Sequence, residues 1–420
     1  MASGTTTSPS QRENRTIILP IDQEQYDVIM PDPAKFRRWI GENYKQHPEI
    51  FPDEMKQGCQ LKKYTLNGKR TDIKLGLDVR RIRFSKNICY SIWPSFAMPY
   101  ATALTKDVAH GLRLRKWNVP YEVLADIFGH SPMFWYRLET SIGRNSIVGT
   151  TVKTAEIPTH LVADEHHEKL GGEKVYIATT VAAGCVLGAE LSASASGDDL
   201  QKAYGVFKDE ALAVDPQYKP ETVNTDGWSG TQSAWSALFV GITLIRCFLH
   251  AWLKIRERGK HLKSLFFDVG ERVWGVYHAK TRGMMGQRIR RLREWAMQHL
   301  KGVVLEKVLD LCAKSGLWSM WYDHPDGHAT SNMLDRLMRS QNKYFDRGQH
   351  FHGNLDSANK RCRAWAILHN YWPWCRKSIK DNDGATCPAE RLNRKRYHDN
   401  WLQNLLVATS NSKHKTHNPV

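Results

Sequence analysis

The sequence predicts a mixed α/β fold that carries an all-α insertion and is preceded by an α-helical region. Three observations predict it. Short strand patterns alternate with helix patterns from residue 155 to 250, a helical pattern without strands runs from 251 to 327, and two helices joined by a glycine turn come before both. A chain of 420 residues is long enough for roughly two to four compact units.

Residues 1–80 form the predicted N-terminal region, in which we identify no function. The first 15 residues are polar and have no hydrophobic periodicity, which predicts that they are disordered. Residues 20–80 mix short apolar and polar stretches. This region is therefore expected to be a module in front of the functional part of the chain.

A helix-turn-helix pattern lies within residues 81–150, which we predict to be a DNA-binding domain. The first helix begins at Pro120 and ends at Gly129, and the second begins at Pro132. The first helix has one apolar face, made of Val123, Leu124, Ile127 and Phe128, and basic residues surround the pattern: Arg113, Arg115, Lys116, Arg137 and Arg144. Two helices of any α domain would give the same pattern, but the charge favours DNA contact, with Arg137 and Arg144 as candidates.

Residues 155–250 predict a sheet domain. The expected elements, in order, are strands at 159–164, 174–181 and 185–192, a helix from 198, a strand at 221–226, a helix at 229–238 and a strand at 243–248. Tight glycine turns between the first three strands indicate an antiparallel meander. This order of elements resembles that of a ribonuclease H-like sheet.

A helical block at residues 251–327 interrupts the sheet domain, which resumes at 328–372 with a helix capped by Ser331. The block contains the candidate DNA contacts Lys280, Arg288, Arg290, Arg291 and Arg293. Because these arginines are distributed around a helix, some must face solvent, where phosphate contact is the favoured use. Residues 373–420 are predicted to be a basic C-terminal tail with the further candidates Arg394, Lys395 and Arg396.

Composition favours a polyanionic partner. The chain has 60 Lys and Arg against 43 Asp and Glu, a net charge of +17, so nucleic acid is the first candidate and a membrane surface the second. No apolar run is long enough to span a bilayer, and the first residues do not resemble a signal peptide, so we expect a soluble cytoplasmic protein. Eight cysteines without a Cys-x-x-Cys pair predict neither a zinc ribbon nor a disulfide framework.

Three acids are candidates for metal-assisted phosphate chemistry, in which divalent ions need hard oxygen ligands from rigid elements. Asp164 and Asp226 each end a predicted strand, and these two strands lie side by side in a ribonuclease H-like sheet. The third candidate is Asp335, on the helix after the insertion. Asp323 and Asp326 in the preceding loop are alternatives, and a simple surface pair between Asp335 and Arg339 would also explain the residue.

Short motifs surround each acid: Val162-Ala163-Asp164-Glu165 with Lys174-Val175-Tyr176, Asn224-Thr225-Asp226-Gly227-Trp228, and Asn332-Met333-Leu334-Asp335-Arg336. They resemble the three acidic blocks of DDE-type transposases of bacterial insertion sequences. The long interval between Asp226 and Asp335 is similar to that of members with a helical insertion, and Cys247 with His250 resembles the Cys-x-x-His signature of Mutator-like transposases. The third acid departs from the usual pattern because it is Asp rather than Glu.

The resemblance implies a DDD-type transposase that cleaves DNA strands at transposon ends and transfers the 3'-hydroxyl into target DNA. It implies two Mg²⁺ ions, with Mn²⁺ as a substitute, held by Asp164, Asp226 and Asp335. It also implies double-stranded DNA as partner, a homodimer or larger assembly on that DNA, and a prokaryotic, nucleoid-associated location. The alternatives are a catalytically inactive, transposase-derived DNA-binding regulator and a ribonuclease H-like nuclease.

Three further residues near the acids have competing interpretations. His250 is a candidate catalytic residue that contacts the scissile phosphate or steadies the active-site strand, although a lone Cys-x-x-His is more often structural. Glu165 should face the side of the strand opposite Asp164 and take no part in catalysis. His166 and His167 are expected in a solvated turn.

Overall fold

A computed structural model of the chain describes residues 15–85, 88–99, 101, 103–346 and 351–410, and these are mixed α/β, as predicted. The chain divides into two compact units. The first comprises residues 1–115, 121–155 and 371–420, and the second comprises 116–120 and 156–370. The predicted disorder of the first residues lies outside the described part, which begins at Arg15.

The first unit begins with a four-stranded sheet and continues with helices. Its elements up to residue 155 are β1 (Thr16–Leu19), α1 (Gln23–Ile29), α2 (Pro33–Gln46), β2 (Lys56–Gln57), β3 (Gln60–Leu61), β4 (Thr65–Asp72), β5 (Leu77–Ser85), β6 (Ile88–Pro94), β7 (Ala97–Met98), β8 (Ala103–Leu104), α3 (Thr105–Leu114), α4 (Tyr121–Phe128), α5 (Pro132–Ile142) and α6 (Ile147–Thr151). The order in the main sheet is β1-β6-β5-β4, with β1 parallel to β6 and the other pairs antiparallel.

The prediction of a helical region from residue 81 was wrong for its first part. Residues 81–94 belong to β5 and β6, and helix begins only at Thr105. The sequence signal was present, because exposed Arg81 and Arg83 alternate with buried Ile82, which is the period of a strand with one face in the core.

The two helices of the predicted helix-turn-helix are confirmed as α4 and α5. Gly129 and His130 join them with positive φ angles of 76° and 66°. Of the expected apolar face, Leu124 is buried, whereas Val123 is 38% and Ile127 is 61% exposed. The face that packs inward is therefore narrower than the sequence pattern suggested.

Arg115 does not belong to the basic surface around α4 and α5, contrary to expectation. Its guanidinium is buried, donates to the equally buried Glu139 carboxylate of α5 at 2.7 Å, and lies 4.2 Å from the centre of the Tyr121 ring. A cation with a buried acid partner fixes the position of a helix and is not available to a phosphate.

The second unit contains a five-stranded mixed sheet and two groups of helices. Its elements are β9 (His160–Leu170), β10 (Glu173–Ala182), β11 (Cys185–Ser192), α7 (Gly197–Val214), β12 (Thr222–Thr225), α8 (Ser229–Leu238), β13 (Thr243–Arg246), α9 (Phe248–Gly259), α10 (Ser264–Tyr277), α11 (Arg282–His299), α12 (Gly302–Ala313), α13 (Ser315–Ser319), α14 (Asn332–Asp346) and α15 (Leu355–Tyr371). The strand order is β11-β10-β9-β12-β13. The first three strands are antiparallel, and β12 and β13 run parallel to β9.

Helices cover both faces of this sheet and one of its edges. Buried Phe207 of α7 and Trp235 of α8 pack on one face. On the other, α14 reaches β10 through Gln341, whose amide donates to the Thr179 hydroxyl at 3.5 Å. At the edge, the Asn370 side chain of α15 bonds both the N–H and the carbonyl of Val186, which satisfies backbone groups that an edge strand leaves open.

The inserted helices α9 to α13 have a hydrophobic core of their own. It includes Trp252, Val273, Ile289, Leu311 and Trp318, all buried. The insertion therefore folds around a separate core while both its ends connect to the sheet. In the described residues, no helix of either unit is long and apolar enough to cross a membrane.

The predicted C-terminal tail is instead an integral part of the first unit. Residues 376–408 form α16 (Arg376–Lys380), α17 (Pro388–Asn393) and α18 (Trp401–Ala408), and α18 is largely buried. Directly after it, the Ser410 hydroxyl accepts the Ile18 N–H of β1 at 2.8 Å. Short 3₁₀ helices complete the chain at Pro48–Ile50, Asp53–Met55, Arg115–Trp117, Lys260–Leu262 and Met320–Asp323.

Candidate metal centre

Asp164 lies in the middle of β9, not at its end as predicted. The ladder with β10 continues from Val162 to Leu170, because the turn at Gly171 and Gly172 closes the hairpin only there. His166 and His167 are consequently strand residues rather than members of a solvated turn. Asp164 is half-buried and lies opposite Thr179, on the face that α14 covers.

Glu165 faces the other side of the sheet, as expected from strand alternation. It is buried, and its Oε1 accepts hydrogen bonds from the hydroxyls of Tyr204 and Thr231, each at 2.7 Å. Burial raises the pKa of Glu165 to about 7 in spite of these hydrogen bonds, and the charges of Asp164 and Asp226 add to the increase. Glu165 thus ties β9 to α7 and α8 behind the site.

Asp226 follows the last residue of β12, as predicted. Its Oδ1 accepts the Trp228 N–H at 2.7 Å, which fixes the carboxylate against its own turn. Gly227 has a φ of 93°, and a Cβ at this position would collide with the guanidinium of Arg246 at the end of β13. Arg246 was not expected from the sequence, although the ends of parallel neighbours such as β12 and β13 always meet at one sheet edge.

Asp335 lies in the first turn of α14, and the residue before the helix holds its carboxylate. The Ser331 hydroxyl donates to Oδ1 at 3.2 Å, and the Ser331 carbonyl accepts the Asp335 N–H at 2.9 Å. In the described part of the chain, Asp335 forms no ion pair with Arg339. Of the alternative acids, Asp323 instead pairs with Arg282 within the insertion.

Cys247 connects the start of the insertion to its end. Its Sγ lies 3.2 Å from the Ser331 hydroxyl and accepts the Ser331 N–H at the same distance, while its own N–H donates to Thr225 at 2.7 Å. Asn224 of β12 adds a second link by donating to the His328 carbonyl at 2.7 Å. The segment that leads into α14 is therefore fixed to the ends of β12 and β13.

His250, one turn after Cys247 on α9, lies beside two of the acids. Burial lowers the pKa of this imidazole, but the Cys247 thiol and the carboxylates of Asp164 and Asp335 outweigh that effect and raise it to about 9. The same interaction, opposing burial, lowers the pKa of the Cys247 thiol.

Asp164, His250 and Asp335 converge from three segments that are far apart in the sequence. Each is half-buried, and their potential ligand atoms all lie within 4.8 Å of one another. Asp226 is not a member of this set but is close enough to affect it. Burial raises the pKa of Asp164 to about 6, His250 opposes this increase, and the negative charges of Asp226 and then Asp335 add to it.

No protein-family model and no curated protein matches this sequence.

The donor set fits a divalent cation. Carboxylate oxygens are the ligands that Mg²⁺ and Mn²⁺ prefer, and two carboxylates, those of Asp164 and Asp335, have ligand atoms within 4.8 Å of each other here. Burial is the main cause of the raised pKa of Asp164, and a bound cation would relieve the smaller contribution that comes from repulsion by Asp226 and Asp335. The residues present can therefore hold hard metal ions, with Asp164 and Asp335 closest together and Asp226 at the adjoining strand end.

An aromatic group lies next to Asp226 on the same edge of the sheet. The Trp228 ring contacts Tyr176 of β10 edge to face, with centroids 5.7 Å apart, and the exposed His167 ring lies 5.0 Å from Tyr176. The Lys174 ammonium lies 5.0 Å from the centre of the Tyr176 ring. The structure thus brings Trp228, from the motif around Asp226, into contact with Tyr176, from the motif around Asp164.

The predicted DNA contacts differ in their availability. Arg137, Arg144, Lys280, Arg290, Arg291, Arg293 and Arg394 are exposed. The half-buried Arg288 donates to the Gly275 carbonyl inside the insertion. Lys395 pairs with Glu49 at 2.6 Å, and Arg396 pairs with the buried Glu390 at 3.0 Å, so these two hold the first unit together.

Proposed function

We propose that the second unit cleaves DNA strands and transfers 3'-hydroxyl ends in a metal-dependent reaction, as DDE- and DDD-type transposases do. The observation that supports this best is the convergence of Asp164, His250 and Asp335 within 4.8 Å, with Asp226 at the neighbouring strand end. Asp164 and Asp335 are 171 positions apart in the sequence, and the fold brings their carboxylates together.

The topology supports a ribonuclease H-like fold for this unit. Three antiparallel strands in chain order, followed by two strands that run parallel to the first, give the order β11-β10-β9-β12-β13. The acids occupy the central strand, its parallel neighbour and the helix that returns after the insertion. This is the distribution that the resemblance implies.

The chain's own residues have distinct roles in this proposal. Asp164, Asp226 and Asp335 would hold two Mg²⁺ or Mn²⁺ ions, which would activate the nucleophile and neutralise charge on the phosphate. Ser331 orients the Asp335 carboxylate, and Gly227 allows Arg246 to lie against the turn after Asp226. His250, which lies beside Asp164 and Asp335, is the residue that we assign to contact with the scissile phosphate.

The exposed cations are suited to bind the DNA that flanks the cleaved bond. Arg290, Arg291 and Arg293 project from α11 of the insertion, and Lys280 lies just before this helix. Such contacts recognise phosphates without reading bases. The partner in this proposal is double-stranded DNA, bound by a dimer or larger assembly that holds two ends.

The test is strand cleavage and joining on DNA with the ends of the genetic element that encodes the protein, with Mg²⁺ or Mn²⁺. We expect metal-dependent products from the wild type and none from Asp335→Ala or Asp226→Asn. Asp356→Ala is the matched control, because it removes an exposed carboxylate from α15. Tight binding without cleavage by the wild type would favour a DNA-binding regulator instead, and cleavage by Asp226→Asn would contradict the assignment of the site.

A further inference from the structure

A cavity of about 580 Å³ lies in the first unit, within a region for which the sequence indicated no function. One wall comes from α2, a second from the segment that joins β3 to β4, and a third from the end of β5. Its charged and aromatic lining residues are Arg37, Lys62, Lys63, Tyr64, Arg83 and Phe84. None of its lining residues belongs to the predicted helix-turn-helix or to the candidate metal centre.

The charge of this cavity is entirely positive. Four cations line it, no carboxylate does, and all four side chains are exposed. Among the described residues, none of the four forms an ion pair. A concave group of cations without counter-ions attracts an anionic ligand.

An aromatic wall accompanies the cations. The rings of Tyr64 and Phe84 are half-buried, with centroids 5.6 Å apart and planes inclined by 48°. Burial raises the pKa of Tyr64 to about 12. The positive charge of Arg37 opposes this increase, so the guanidinium lies near the phenol. An inorganic anion would contact only the cations. A nucleotide has both a phosphate for the cations and a base that can stack on the rings.

We propose that this cavity binds a single nucleic-acid strand by an unpaired nucleotide. The base packs against Tyr64 and Phe84, and the flanking phosphates contact Arg37, Lys62, Lys63 and Arg83. The proposal is independent of the chemistry proposed for the second unit.

The experiment is an anisotropy titration of the full chain with labelled single-stranded DNA, single-stranded RNA and duplex DNA over a range of salt concentrations. The variants are Lys63→Ala and Arg83→Ala for charge and Phe84→Leu for stacking, with Lys62→Ala, on the exposed segment before β4, as a second charge probe should a β5 variant fail to fold. Lys106→Ala is the matched control, because Lys106 is an exposed cation of the same unit outside the cavity.

Each charge variant should weaken single-strand binding and reduce the slope of log affinity against log salt by about 0.7 per lost phosphate contact. Phe84→Leu should lower the affinity about tenfold without changing the slope. A larger effect on either DNA or RNA would identify the natural strand. The proposal would be overturned by variants that match Lys106→Ala, by a loss confined to the duplex, or by a loss confined to binding of phosphatidylserine vesicles.

Discussion

Gly227→Ala tests whether the turn after Asp226 depends on glycine. The φ of 93° is strained for an L side chain, at a cost of about 1–2 kcal/mol. The new methyl group would also collide with the Arg246 guanidinium, but this group is the far end of a flexible side chain and can move aside at little cost. We therefore expect Gly227→Ala to lower the free energy of unfolding of the second unit by about 1–2 kcal/mol, the cost of the backbone strain.

The assay is differential scanning calorimetry, in which 1 kcal/mol corresponds to a shift of about 2–4 °C for a unit of this size. The control is Gly286→Ala, in α11, where a Cβ meets nothing within 4 Å, so this variant should be slightly more stable than the wild type. Adding Arg246→Ala to Gly227→Ala should leave this loss of stability almost unchanged, because the strain lies in the backbone at residue 227. A Gly227→Ala protein with wild-type stability would refute the reasoning.

Three further predictions concern buried polar groups. Arg115→Met removes the cation from the buried Glu139 carboxylate and should cost about 3–5 kcal/mol of unfolding free energy in urea titrations. Burial lowers the pKa of His369 to about 4, below its unfolded value near 6.5, so stability should fall as the pH drops from 6.5 to 4, by about 2 kcal/mol at pH 5, and His369→Gln should remove this dependence. Ser331→Ala frees the Asp335 carboxylate and should weaken Mn²⁺ binding about tenfold in calorimetric titrations while the fold is retained.

Elements of the second unit could be predicted where turns and hydrophobic period agree. The strand expected at 185–192 and the helix at 229–238 have those bounds in the structure. The extent of β9 could not be predicted from its own residues, because its polar second half, through Lys169, is held by pairing with β10. In such strands, pairing with the neighbouring strand determines where the strand ends, because the β-propensity of the residues themselves does not.

The first unit was predicted less well because its sheet and its closure depend on distant segments. The bond between Ile18 and Ser410 joins residues 392 positions apart, and no local pattern indicates it. The basic residues of the C-terminal segment looked like a solvated tail, but the buried Glu390 and the half-buried Glu49 pair with Arg396 and Lys395. The sequence shows that these residues are basic, but it does not show whether each side chain faces solvent or pairs with an acid of the same unit.

At the candidate site, the acids could be predicted, but not the contacts that fix them. Asp164, Asp226 and Asp335 were identified from their motifs, whereas Arg246 has no motif and becomes visible only through its contact with Gly227. Ser331 was expected only as a helix cap, and its hydroxyl in fact bonds the Asp335 carboxylate. Such supporting contacts depend on three-dimensional placement that spacing along a chain does not encode.

The hydrogen bonds between Cys247 and Ser331 explain how the candidate site can keep its geometry although a long insertion separates its residues in the sequence. Cys247 is the last residue before α9, where the insertion begins, and Ser331 is the last residue before α14, where the sheet domain resumes. Because these two residues bond each other, the two ends of the insertion are fixed together at the site, irrespective of movement in the helices between them. His250 and Asp335 follow one turn after each end, so the same contact sets the position of both relative to Asp164. If Asp335 is the third acid of the proposed site, its shorter side chain is compatible with this arrangement, because Ser331, the residue before the helix, is held by Cys247 next to the strand ends.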